Sequence, residues 1–120
     1  MYLACRRCLT VNTTDLYPIK RLYKSEEEHT VYKGSFSLYK HIMWMSSHTL
    51  EYASDFIIHP DNFLDALQLQ YTRGWGCCGN YGKPLLCICC DSVIGDQYLD
   101  CMGTKHLHLN RNKVVRKYKK

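Results

Sequence analysis

Alanine occurs only three times in 120 residues, at Ala4, Ala53 and Ala66, so little in the chain drives long helices by propensity alone. Ten tyrosines stand in contrast and suit strands and packed aromatic surfaces; an AT-rich genome, viral or parasitic, would give the same bias. Long apolar runs are missing too. The longest uncharged one, around Leu85 to Cys90, is far too short to span a bilayer, so no membrane anchor is expected. The N-terminus reaches Arg6 and Arg7 without an apolar core, which argues against a secretory signal and predicts an intracellular protein of the nucleus or cytoplasm. In a reducing compartment the eight cysteines are expected to be metal ligands or buried hydrophobes rather than disulfide partners. The Asn12 sequon is then a pattern without glycosylation. No phosphate-binding glycine loop and no paired-carboxylate motif is visible. With eight cysteines and six histidines some nucleophile and base pairing is always imaginable, so it carries no signal, and a non-enzymatic role is expected.

What is present fits one globular domain: 46% hydrophobic and 22% charged residues are ordinary for a packed chain and exclude a disordered one. The net charge of +5 is concentrated in Arg111, Lys113, Arg116, Lys117, Lys119 and Lys120. This predicts a single folded domain over residues 1–110 and a basic tail over 111–120. Such a tail suits phosphate contacts or nuclear import, and equally well solubility alone.

The element pattern is mixed. An apolar approach from Tyr2 predicts a strand entering the first cysteine pair, and Pro18 keeps Tyr17 extended in a second strand or irregular edge over Leu16 to Tyr23. Phe36 to Met45 is read as strand. Ser47 caps a possible helix through Ala53, and Phe63, Leu64, Leu67 and Tyr71 at helical spacing predict an amphipathic helix over 61–72 ended by Gly74. Beyond the glycines at 76, 79 and 82 the pattern turns to β: strands over Val93 to Met102 and Lys105 to Leu109, a turn at Asn110 to Asn112, then Val114 and Val115. The fold class expected is α+β, a small zinc-stabilised antiparallel β domain with one or two inserted helices.

The chemistry lies in the cysteines. A CxxC turn is the shortest local unit that aims two sulfurs at one point, and two such turns close a tetrahedral zinc site. Cys5, Cys8, Cys87 and Cys90 form two such pairs, one near each end of the sequence. Buried free thiols at accidental spacing are the alternative. A redox role is disfavoured because both pairs read as hairpin knuckles rather than helix N-termini. Cys77, Cys78, Cys101 and either His106 or His108 are candidates for a second site, against packing as small hydrophobes. Cys89, inside the second knuckle, is worse spaced than its neighbours. Trp44 and Trp75 suit a core or a ligand-lining role.

A CxxC near the start, a second one much later, then Ile94 to Tyr98 with its glycine and a basic hairpin resemble the zinc-binding β-tent fold of Yippee, Mis18, the cereblon ligand-binding domain and Mss4-like proteins. The resemblance implies Cys5, Cys8, Cys87 and Cys90 as zinc ligands. It covers the first ten residues and the last thirty-five, and Asp96 stands where that family has a tryptophan. A second resemblance, to small baculovirus RING-like or U-box-like proteins, lacks the Cys-x-His unit of a RING. The function expected is a zinc-stabilised module that binds another protein, within a nuclear or viral assembly. The alternatives are a nucleic-acid-binding module using the tail and the Arg6-Arg7 knuckle, and a RING-like ubiquitin-ligase subunit.

Overall fold

The computed structural model describes residues 1–18, 33–38, 54–69, 83–99 and 105–118. Among these residues eight strands follow in order: β1 (Tyr2–Cys5), β2 (Tyr17–Pro18), β3 (Ser35–Leu38), β4 (Phe56–Ile58), β5 (Lys83–Leu86), β6 (Val93–Tyr98), β7 (His106–Leu109) and β8 (Val114–Lys117). They form two sheets, a pair β1-β8 and a six-stranded sheet ordered β2-β3-β4-β7-β6-β5. All described pairings are antiparallel except β2 with β3.

The α+β expectation is overturned. Strand residues make up 49% and helical residues 8% of the described chain, with no helix of seven residues or more, so the class is mostly β. The helix placed at 61–72 is the clearest case over its described part. Pro60–Asn62 and Ala66–Gln68 are single 3-10 turns, and Phe63 between them is extended. The cause is a competing backbone partner. Thr13 bridges Phe63, Thr14 N–H donates to the Asn62 carbonyl at 3.0 Å, and Leu64 N–H donates to the Asn12 carbonyl at 2.9 Å. These bonds satisfy both segments at once and draw Phe63 into the core, while Leu67, counted on the apolar helix face, stands 97% exposed. The helix proposed from Ser47 and the strand beyond Leu38 lie outside the described residues.

Period-two alternation explains the central strands. Leu107 and Leu109 of β7, with Phe56 and Ile58 of β4, face a core that also holds Leu3, Phe36, Leu85, Ile94 and Val114. Ile57 and His108, paired across β4 and β7, point to the other face and are also buried. β6 and β7 approach so closely at Gly95 that a Cβ there would lie 2.0 Å from the His108 carbonyl oxygen. Glycine is required at that point by space, not by backbone angle.

The basic stretch enters the fold. Val114 to Lys117 pair with Cys5 back to Tyr2, so residues read from the sequence as part of an appendage form half of the smaller sheet. Arg116 lies over the rings of Phe36 and Phe56, 5.9 and 5.0 Å from their centroids, and Lys117 Nζ donates to the Leu9 carbonyl at 2.8 Å.

Candidate metal centre

The first knuckle runs from the end of β1 and the second joins β5 to β6. Their backbones repeat one another. In the first, Cys5 N–H donates to the Thr10 carbonyl at 2.9 Å and Leu9 N–H to the Cys5 carbonyl at 2.8 Å. In the second, Cys87 N–H donates to the Ser92 carbonyl at 2.9 Å and Asp91 N–H to the Cys87 carbonyl at 3.1 Å. The residue after the second cysteine is left-handed in both, with φ of 62° at Leu9 and 58° at Asp91. That conformation costs a side-chain-bearing residue about 1–2 kcal/mol, a strain that the turn geometry imposes twice.

These turns place four sulfurs, those of Cys5, Cys8, Cys87 and Cys90, within 4.8 Å of one another. Across the knuckles, Cys5 and Cys90 sulfurs are 3.6 Å apart and Cys8 and Cys87 sulfurs 3.5 Å. A tetrahedron with metal–sulfur bonds of ~2.3 Å has edges of roughly 3.8 Å, whereas a disulfide needs ~2.05 Å. The cysteines are free, and the cluster could hold a metal ion.

The surroundings are built for sulfur charge. Amides of Arg7 and Cys8 point at the Cys5 sulfur, and those of Cys89 and Cys90 at the Cys87 sulfur, the same relation in each turn. A hydroxyl two residues after the second cysteine completes the match: Thr10 Oγ1 lies 3.3 Å from the Cys8 sulfur and Ser92 Oγ 3.0 Å from that of Cys90. The Thr10 hydroxyl and amide hold the Cys8 thiol down at about 6. Burial raises Cys5, but hydrogen bonds led by that of Ser92 outweigh it and leave the thiol below its ordinary value. Burial dominates at Cys87 and pushes its thiol up to about 11. A divalent cation is the group whose charge would let all four ionise together.

Asn12 joins the two knuckles. Fully buried, its Nδ2 donates to the Thr10 carbonyl at 2.9 Å and approaches the Cys87 sulfur at 3.6 Å, while its Oδ1 accepts from Ile88 N–H at 2.8 Å. Sequence reasoning saw there only a sequon. The hydroxyls were also missed, although the repeat was visible as Cys-x-x-Cys-x-Thr over 5–10 and Cys-x-x-Cys-x-Ser over 87–92.

The second candidate set is described only at its histidines. Neither His106 nor His108 joins the sulfur cluster. His106 stacks on Tyr98 with centroids 4.9 Å apart, and His108 Nε2 lies 2.8 Å from Asp55 Oδ2, whose other oxygen accepts from Arg111 N–H at 2.9 Å. Cys77, Cys78 and Cys101, like Trp44, Trp75, Lys119 and Lys120, lie outside the described residues. Cys89 is exposed and stands outside the sulfur cluster. Among the described residues no helix is long and apolar enough to cross a membrane. Comparison with protein-family models, with curated proteins and with solved structures finds no match to this chain.

Proposed function

We propose that this chain is a zinc-stabilised protein-interaction module. One observation carries the reading: two knuckles with the same hydrogen bonds, the same left-handed residue and the same hydroxyl converge four thiols on one point. An all-sulfur tetrahedral set favours zinc or iron among metals, and four protein ligands leave no open position for a substrate, which is the pattern of a structural ion. Such an ion staples β1 to the β5–β6 turn and contributes its binding free energy to folding.

The charge arrangement favours a protein partner over nucleic acid. Of the basic residues at the end of the chain, Arg116 lies over two phenylalanine rings and Lys117 donates to the Leu9 carbonyl, so each spends part of its binding capacity inside the fold rather than holding all of it for a phosphate backbone.

Elemental analysis of the protein purified under reducing conditions tests the reading. One zinc per chain is expected, retained by Cys89→Ser and lost or strongly weakened by Cys8→Ser and Cys90→Ser. Metal-free protein whose four thiols react with alkylating reagent at the rate of a model thiol would refute it, and an absorbance typical of iron–thiolate charge transfer would replace zinc by iron. Salt-sensitive nucleic-acid binding that charge reversal at Arg6 and Lys113 abolishes would count against a protein partner. Deleting residues 111–120 is no test, because it removes β8.

A further inference from the structure

Beside the sulfur cluster lies an open cleft of about 410 Å³, bounded by the first knuckle, the start of β6 and the turn between β7 and β8. Its lining includes Arg6, Arg7 and Lys113, all exposed, with Ser92, Val93 and Asp96 between them. The walls are fixed by backbone bonds. Arg6 N–H donates to the Lys113 carbonyl at 2.9 Å, Asn110 N–H donates to the Ile94 carbonyl at 2.9 Å, and the turn is closed by Asn112 N–H on Asn110 Oδ1 at 2.8 Å. Cys5 itself forms part of the wall, so the candidate metal centre braces the cleft. The backbone carrying the three cations is fixed in advance, so meeting an anion orders only their side chains.

We propose that this cleft binds an acidic segment of a partner protein, with a side-chain carboxylate seated among Arg6, Arg7 and Lys113 and a neighbouring apolar group against Val93. The inference rests on the protein-interaction reading and names the chemistry of its partner. Size, composition and charge pattern select a peptide. The volume suits one or two side chains rather than the path of a strand of nucleotides. Val93, 51% exposed, offers an apolar contact that a phosphate backbone cannot use. Asp96, a carboxylate inside the same lining, opposes a bare polyanion but accepts a hydrogen bond from the main-chain N–H that a peptide brings with its acid.

Fluorescence polarisation with the zinc-loaded protein tests the proposal. The probes are a short fluorescein-labelled glutamate-rich peptide containing leucine, its glutamine counterpart, and a single-stranded oligonucleotide of similar charge. The glutamate peptide is expected to bind and to weaken as salt rises, the glutamine peptide to bind at least about tenfold more weakly, and Lys113→Glu and Arg7→Glu each to cost about tenfold or more. Zinc content and unfolding temperature are measured on every variant. Lys113→Gln, outside the knuckle, provides a milder second variant if Arg7→Glu disturbs the metal. An oligonucleotide bound more tightly than the peptide through the same residues, affinity indifferent to both charge reversals, or no peptide binding by intact zinc-loaded protein would each overturn the cleft assignment. In those outcomes the zinc reading stands, because its failure shows separately as absent metal.

Discussion

Replacing Asn12 by alanine tests the bridge between the knuckles. The substitution removes the acceptor of Ile88 N–H and the donor to the Thr10 carbonyl and the Cys87 sulfur. The Thr10 carbonyl keeps its bond from Cys5 N–H, so one donor, that of Ile88, is stranded. A lost hydrogen bond is worth about 1 kcal/mol, and a stranded partly buried donor about 1–3 kcal/mol more, so the expected loss is about 2–4 kcal/mol. At roughly 4 °C per kcal/mol for a chain of this size, the unfolding temperature should fall by about 10 °C. Residues that support a ligand typically change metal affinity 10–100-fold, or about 1.4–2.7 kcal/mol, so zinc competition against a chromogenic chelator should show a drop in that range. Asn12→Asp sharpens the test. It keeps an oxygen for Ile88 but turns a second one toward the Thr10 carbonyl and the Cys87 sulfur, both electron-rich, and should be worse than alanine. If Asn12→Asp matches wild type in chelator competition and in thermal unfolding, the bridge does not act through the polarity of its hydrogen bonds and the reasoning is wrong.

Two further substitutions address the frame around the centre. Gly95→Ala should lose about 3 kcal/mol or more in urea unfolding, or give insoluble protein, because its Cβ meets the His108 carbonyl at 2.0 Å and strand backbone cannot yield cheaply. Leu9→Gly should gain about 0.5–1 kcal/mol in the same assay with zinc content unchanged, since relief of a left-handed side-chain residue outweighs glycine's entropy and Leu9 is 54% exposed; a loss of stability would show that its apolar contacts matter more than its φ of 62°.

The parts of the molecule legible in the sequence were those written in local chemistry. The cysteine spacing put the four thiols in two turns, the β pattern over 93–102 and 105–109 marked two neighbouring strands that run over Val93–Tyr98 and His106–Leu109, and Asn110 to Asn112 marked the turn after them. What was illegible depends on partners far along the chain. Nothing near Phe63 says that the backbone of 12–14 will claim it, so helical spacing won on paper and lost to hydrogen bonds across about fifty residues. Asn12 reads as no more than a sequon because its three contacts lie in two different knuckles. Arg116 and Lys117 read as free charge because their acceptors, two phenylalanine rings and the Leu9 carbonyl, are likewise remote.

A last consequence concerns the outer margin of the larger sheet, where β5 is the final described strand. There Gln68 behaves like a visiting residue of another strand: its side-chain Oε1 accepts from Leu86 N–H at 2.8 Å and its Nε2 donates to the Leu86 carbonyl at 2.9 Å. Pro84, in the same strand, has no N–H to offer, and its carbonyl is taken by Gln97 Nε2 at 3.1 Å. Among the described residues this margin is therefore sealed against a foreign strand docking along it, a protection from edge-to-edge aggregation achieved with two side-chain amides and one imino acid.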